Sequence, residues 1–456
     1  MTGPDATMLY IETPAVPMHT LKIAVLDPSC LDGVYDRARL VEELRHRLPL
    51  LEPFRRRIVP VPFGLHHPMW IEDPDFDIER HVHAMEVDAP GGPRELDAAI
   101  STIHSRPLAR DRPLWEVTLI TGLADGRVAV AAKIHHALAD GMAAVAALAH
   151  VASTEPDELP VVDDGWSAEP LPRRPGLLAH AFADRVTSLA QIPELLNRSV
   201  SGARRARSRK KELEDLPPAV LTCPQASFNG HLTAGRRVAT AKFLLADFKA
   251  VKKAAGCTIN DVLLAVTAGA LNRYFDQRDE AHDATMTCAI PISIDGRGAE
   301  PRRSGNRVGQ LFTSLRTDIE DPAERLARIH AVTKNAKLLN AELGPELSHD
   351  WNEYASNAPY QFLWRAIVPR VKRPPVNIVV ANVPGPTETL YFAGAEMTDF
   401  YSASVLTEGI ACNLTVWSYL DHLYAGLTTC TSLLPDPHAI TDAMPAALEE
   451  LILATA

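Results

Sequence analysis

The stretch Ala129–Ala144, AVAAKIHHALADGMAA, decides how this chain is read. An apolar run ends at Ile134. His135 and His136 follow at once, and Asp140 and Gly141 close a short turn before a second apolar run. The first run has strand character and the second has helix character, so the two histidines stand at a strand end. Successive strand side chains point to opposite faces, which lets one histidine face a cleft while the other faces the core. Asp140 can fold back in the turn, and Gly141 permits the dihedrals that a tight turn needs. A neutral imidazole with a pKa near ~6.5 can take a proton at physiological pH, provided it is held in one tautomer and orientation. The pattern points to a general base. A buried histidine pair, with Asp140 capping the helix, is the structural alternative. His and Asp are also metal ligands, but nothing nearby adds a third or fourth at metal-site spacing, so no metal is expected. The chain has no G-x-S-x-G elbow, no G-x-G-x-x-G and no P-loop, which removes support from serine-nucleophile and nucleotide-driven chemistry.

Working outward, Trp115–Thr121 and Val128–Ile134 read as strands joined by a turn at Ala124-Asp125-Gly126. Upstream, Leu21–Leu26 reads as a buried strand, and Ala38–Arg47 and Pro93–His104 as helices. Downstream, Gly141–Ser153 reads as an apolar helix. Residues 154–175 are rich in Pro, Asp, Glu and Arg and lose periodicity, as a linker does. Leu177–Leu189 could form a short amphipathic helix, and a basic cluster follows at Arg198, Arg204, Arg205, Arg207, Arg209, Lys210 and Lys211. A second half restarts near Ser227, with helices over Ala246–Ala255 and Asn260–Tyr274. Its strands are predicted over Thr285–Ile292, Val376–Ala381, Leu406–Trp417 and Leu423–Thr429. The alternation predicts α/β lobes built on mixed sheets. The expected boundaries are a first lobe at residues 1–175, a linker with a basic amphipathic segment at 176–226, and a second lobe at 227–456.

The 456 residues are 46% hydrophobic and 23% charged, near the average of folded proteins, which excludes a disordered, collagen-like or coiled-coil chain. The net charge of −11 argues against a nucleic-acid partner. Six cysteines with no CxxC pair read as reduced thiols. The chain starts without a basic, then apolar, secretory signal and has no run of ~18 apolar residues that could span a bilayer. A cytoplasmic protein is expected, one that could still touch a membrane from one side; the basic cluster reads first as a solvated face of the linker, and otherwise as a docking surface for an anionic membrane or for CoA phosphate.

His135–Gly141, HHALADG, matches the HHxxxDG motif of the CoA-dependent acyltransferase superfamily, which includes chloramphenicol acetyltransferase, carnitine acyltransferases and peptide-synthetase condensation domains. The rest of the chain narrows the resemblance. Pro113-Leu114-Trp115, Asn260-Asp261 and Asn382-Val383-Pro384-Gly385-Pro386 resemble the PLW, ND and NVPGP motifs of bacterial wax ester synthase/diacylglycerol acyltransferases. Thr13–His19, Pro62–Val82, Ser227–Gly230 and Gly305-Asn306 are similar to that family as well. On their own, Pro113, Leu114 and Trp115 read as a rigid strand start with a large buried ring. Asp261 reads as a helix cap. Asn260 reads equally as a cap or as a donor to an oxyanion.

The resemblance implies two chloramphenicol-acetyltransferase-like lobes with a tunnel between them, and acyl transfer from acyl-CoA to a hydroxyl without an acyl-enzyme or a cofactor. His136 would be the general base, with His135 packed behind it. Asp140 would order the loop through an arginine, for which Arg55-Arg56-Arg57 is the expected source. Gly141, Asn382, Pro384 and Gly385 would shape the tunnel. The acceptor would be diacylglycerol or a long-chain alcohol, met at the inner membrane or a lipid-droplet surface. The alternatives are another acceptor, a carrier-protein donor, or a lipid-binding relative without turnover. One departure stands out. Pro291-Ile292-Ser293-Ile294-Asp295 ends in an acid where the family has an arginine, and the nearest arginine along the chain is Arg297.

Overall fold

The computed structural model of the chain describes residues 1–156, 166, 168, 170–219, 223–280, 284–296, 299–355, 357–367 and 374–456. In chain order the strands are β1 (His19–Asp27), β2 (Arg56–Val59), β3 (Met69–Glu72), β4 (Val82–Glu86), β5 (Trp115–Thr121), β6 (Val128–His135) and β7 (Arg236–Leu244). They continue with β8 (Thr287–Ser293), β9 (Val308–Ser314), β10 (Ile378–Val383), β11 (Tyr391–Phe392), β12 (Ala395–Ala403), β13 (Cys412–Tyr419) and β14 (His422–Cys430). The helices used below are α1 (Gly3–Ile11), α2 (Arg37–Arg47), α3 (Pro93–Ser105), α4 (Gly141–Val151), α5 (Arg174–Lys210), α6 (Leu245–Ala255), α7 (Ile259–Asp276), α8 (Pro322–Leu343), α9 (Leu347–Asn352) and α10 (Asn357–Phe362).

Two six-stranded sheets organise the chain, in the orders β11-β12-β1-β6-β5-β4 and β7-β14-β13-β10-β8-β9. Both are mixed: β4 runs parallel to β5, and β10 runs parallel to β13 and β8, while β1, β5 and β6 pair antiparallel. β6 is buried along nearly its whole length, which its Val/Ala/Ile composition allows, because helices cover both faces of the first sheet. On one face Val130 and Ile134 pack with Leu40, Leu44 and Ala144 of α2 and α4. On the other face Ala129 and Ala131 pack with Ile100 and Ile103 of α3 and with Val238 of β7.

The second sheet divides the same way by strand parity. Cys288, Ile290, Leu311, Val380 and Leu414 face a helix layer that includes α6, α7 and α8. α7 is apolar on nearly every side and correspondingly buried. Among the described residues no single helix is long and apolar enough to cross a membrane.

The expected boundaries need two corrections. The first sheet is not confined to the first half, because β11 and β12 come from the second half and β12 extends the sheet antiparallel to β1, with Leu21 opposite Ala403. The segment expected as a linker with one short helix instead contains α5, a 37-residue helix that runs through Pro193. Its C-terminal half is held to the second lobe by Arg198–Asp350 (2.8 Å), Arg205–Glu342 (3.7 Å) and Arg209–Glu342 (3.4 Å).

Candidate active site

β6 ends at His135 and α4 begins at Gly141, so His136–Asp140 form the turn between them. The turn is fixed from both ends of the sequence. The His136 backbone N–H donates to the Met18 carbonyl (2.7 Å), ahead of β1. From the second half, the Gly305 N–H donates to the Leu138 carbonyl (2.7 Å) and the Asp140 N–H donates to the Gly305 carbonyl (3.3 Å). His136 therefore stands where a loop of the second half closes on the first sheet.

The two histidines take opposite roles. His135 is fully buried. Its Nδ1 accepts the Ala137 N–H (3.0 Å), and its Nε2 lies 3.4 Å from Glu12 Oε1. Burial holds its pKa well below the ordinary histidine value, so it is neutral. His136 lines a cavity of about 1050 Å³ between the two sheets. Its Nδ1 sits 2.8 Å from Asn306 Oδ1. Asn306 Nδ2 donates to the His136 carbonyl (2.7 Å) and to Asp5 Oδ1 (2.8 Å), and the Asn306 backbone N–H donates to the same Asp5 oxygen (2.8 Å). With both amide protons committed to acceptors, Asn306 offers His136 only an oxygen. The proton of neutral His136 thus sits on Nδ1, and Nε2 keeps its lone pair. Burial lowers the His136 pKa, against the opposing pull of Asp140 and Asn306, and keeps the ring neutral. The site can accept a proton at neutral pH.

Asp140 serves both readings of the sequence. Its Oδ1 caps α4 at the Ala143 N–H (2.9 Å), while its Oδ2 accepts from Arg302 Nη2 and the Arg307 N–H, both at 2.8 Å. The expected partner cluster is elsewhere: Arg57 pairs with Asp73 (3.1 Å), Arg56 with Glu52, and Arg55 stacks over the Trp166 ring (4.6 Å). Arg302 replaces them, and it is held in turn by Asp295 through Nε (2.8 Å) and Nη2 (2.9 Å). Asp295, the apparent departure, thus orients the arginine that Asp140 needs, and that arginine holds the Asp295 carboxyl below its usual range. Arg297 lies outside the described residues.

Other expected residues are placed differently. Asn260 is in the first turn of α7, on the helix-covered face of the second sheet, and does not line the cavity. Asp261 caps that helix reciprocally with Thr258 and binds His330 Nδ1 (2.8 Å). On β10, strand parity turns Val379, Ala381 and Val383 into the cavity, while Asn382, Pro384 and Gly385 are outside its lining. Gly385 is required by close approach, since a Cβ there would lie 2.1 Å from the Ser418 carbonyl oxygen. Gly141 does line the cavity. Trp115 is buried, donates Nε1–H to the Phe54 carbonyl (2.7 Å) and stacks on His81 (4.3 Å). Leu114 accepts the His135 N–H (3.0 Å), so the PLW segment supports the histidine strand from behind. Asp5 and Arg302 carry no local sequence pattern that marks them, and Gly305-Asn306 is a family-like pair without an assigned role; the site gathers them from α1 and from the loop between β8 and β9.

Comparison with known proteins gives the family. The sequence model of the wax ester synthase/diacylglycerol acyltransferase catalytic domain matches residues 1–263, and that of the WS/DGAT C-terminal domain matches residues 304–452. A Mycobacterium tuberculosis protein with the provisional name diacylglycerol O-acyltransferase is 38% identical over 453 residues, 99% of this chain and 95% of the relative. A second protein of that organism and provisional name is 34% identical over 436 residues, 92% and 90% of the two chains. Among solved structures, the wax ester synthase/diacylglycerol acyltransferase of Marinobacter aquaeolei VT8 superposes with a TM-score of 0.71 at 29% identity, covering 100% of both chains. The first condensation domain of the CDA synthetase superposes at 0.58 with 14% identity, over 100% and 95% of the two chains, a likeness of fold alone.

Proposed function

Because the chain belongs to the wax ester synthase/diacylglycerol acyltransferase family of acyltransferases, we propose that it moves a long-chain acyl group from acyl-CoA to diacylglycerol, with fatty alcohols as a second acceptor class. His136 Nε2 takes the proton of the acceptor hydroxyl as its oxygen attacks the thioester carbonyl. The tetrahedral intermediate expels CoA thiolate as the carbon–sulfur bond breaks, and the thiolate recovers the proton from His136. No acyl-enzyme and no cofactor is required. The observation that supports this most directly is the Asp5–Asn306–His136 chain, which leaves Nε2 as an acceptor in an interlobe cavity. Holding donor and acceptor in one cavity supplies orientation.

Its substrates are lipids, so we place the protein in the cytoplasm, peripherally on the inner membrane or a lipid droplet. α5 is the docking element in this reading. Phe182, Leu189, Leu196 and Val200 recur on one side of the helix and are exposed, and Arg204, Arg207, Lys210 and Lys211 are exposed at its end.

The test measures thiol release from palmitoyl-CoA with dioleoylglycerol, hexadecanol or no acceptor, beside His136→Ala, with products separated by thin-layer chromatography. Release that depends on His136 and on diacylglycerol supports the proposal, and a preference for hexadecanol moves it to wax ester synthesis. Acyl-CoA binding with no acceptor-dependent release points to a lipid-binding relative.

A further inference from the structure

The hairpin of β2 and β3 carries an exposed apolar tip. Its strands pair from Arg56 opposite Glu72 to Val59 opposite Met69, and residues 60–68, PVPFGLHHP, connect them. The connection is anchored at both ends. Val61 is buried. His67 is buried too; it donates through Nε2 to the Glu353 carbonyl (2.9 Å) and accepts the Tyr10 hydroxyl at Nδ1 (2.8 Å). His66 Nε2 lies 3.7 Å from the Asp184 carboxylate of α5. Between these anchors the chain turns outward. Phe63 is 89% exposed and Leu65 57%. Phe63 takes φ +60° and Gly64 φ +62°, a left-handed pair that suits Asn or Gly. A phenylalanine there gains little packing and occupies a backbone region that its side chain disfavours. Folding does not account for the ring.

The tip stands beside the start of α5. Gly64, Leu65 and His66 share a cleft of about 280 Å³ with Leu178, Ala181 and Phe182 of that helix. A spacing of four puts Arg174, Leu178 and Phe182 on one side of α5. Phe182 is 74% exposed, and Arg173 and Arg174 are exposed at the helix start. Two segments far apart in the chain thus build one surface that combines two rings, a leucine and two guanidiniums. Aromatic rings settle at the level of lipid headgroups, and arginines beside them meet the phosphates. The other end of α5 is different, because Arg198, Arg205 and Arg209 there are paired with Asp350 and Glu342.

We propose that Phe63 and Leu65, with Phe182, Arg173 and Arg174, form the surface by which the protein inserts into an anionic phospholipid layer. The proposal rests on the peripheral-membrane reading of α5 and places the apolar anchor at the end of α5 away from the basic cluster. Its test is sedimentation of the full chain with vesicles of mixed phosphatidylglycerol and phosphatidylcholine, with thermal melting as the folding control. Phe63→Gly suits the left-handed backbone and should fold about as well as the wild type, while its vesicle partition coefficient falls about tenfold or more. Arg173→Gln with Arg174→Gln should lower binding about tenfold on the mixed vesicles and little on phosphatidylcholine alone. The tryptophan fluorescence of Phe63→Trp should be quenched by brominated phospholipid beyond that of the wild type. Unchanged binding of Phe63→Gly, or no added quenching of Phe63→Trp, overturns the proposal. A loss confined to Lys210→Gln with Lys211→Gln also overturns it and leaves docking by the basic end of α5 standing; a loss confined to the tip and Arg173/Arg174 supports it and removes the basic end. A wild-type dimer that Phe63→Gly separates assigns the tip to a second copy of this chain and overturns insertion. Acyl transfer is read apart from docking: octanoyl-CoA turnover with a soluble short-chain alcohol should be equal in Phe63→Gly and the wild type, and a fall there would give the tip a role inside the molecule and overturn the proposal.

Discussion

The N-termini of α4 and α7 are built from the same parts and do different things. At α4, Asp140 caps the helix, pairs with Arg302, and closes a turn that carries a histidine. At α7, Asp261 caps the helix with Thr258 and pairs with a histidine, His330 (2.8 Å). Each is a buried carboxylate at a helix start with a cationic or titratable partner. The difference is the side of the sheet. His136 opens on the space between the sheets, whereas α7 lies on the helix-covered face of the second sheet, where Asp261 and its neighbour Asn260 are outside the lining of that cavity. A carboxylate and histidine at a helix start say that the backbone is anchored. Only the parity of the strands says whether the anchored group faces substrate.

The largest expected break in this parallel is catalytic. His136→Ala should lower kcat by about 10²–10⁴, and His330→Ala should leave acyl-CoA turnover within about twofold. Equal losses would put both helix starts in the site. A smaller effect separates His136 from its support. Asn306→Ala removes the acceptor that fixes the tautomer and should lower kcat roughly tenfold, the equivalent of one hydrogen bond of about 1.4 kcal/mol. His136 should still titrate, as read by the acid limb of kcat/KM.

That limb is itself a test. The base works only when unprotonated, and burial lowers its pKa, so in wild type kcat/KM should hold as pH drops past ~6.5 and fall only below it. A limb centred above that value would contradict the buried, neutral base. Asp140→Asn and Asp261→Asn compare the two caps directly. Each should cost about 1–3 kcal/mol of stability in denaturant unfolding, but only Asp140→Asn should also reduce turnover.

The smallest effect is a global pH dependence. Burial holds His19 and His135 well below the usual value and His104 at about 4. The unfolded chain protonates these rings near ~6.5 while the folded chain resists. Their contribution is therefore complete above ~6.5 and is lost as pH falls toward the folded values. Melting temperatures should decline over that window, which a pH series of melts would show.

Much of α4's neighbourhood was legible along the chain. The Val/Ala run, the histidine pair and the Asp-Gly turn define β6, the turn and α4 within the twenty-four contiguous residues Val128–Val151, and Trp115 in the strand alongside reads as a buried ring. What completes the site was not legible as a pattern. Asn306 and Arg302 lie 170 and 162 residues from the groups they hold, and Asp5 is 301 residues from Asn306. No periodicity links such positions, so Arg55–Arg57 could look as suitable a partner for Asp140 as Arg302. For Asn260 the local chemistry suits a cap and an oxyanion donor equally, and its place in the first turn of α7, outside the lining of the large cavity, favours the first.

The register of β12 against β1 has a consequence for how the protein is made. The first sheet needs Ala395–Ala403 to cover β1, so while the ribosome is still synthesising the second half, β1 has a row of open backbone donors and acceptors. Such an edge pairs readily with other chains. Truncation anywhere before residue 395 should therefore yield an aggregating fragment, not a smaller working lobe, and the nascent first half is a natural client for a chaperone until the last strands emerge.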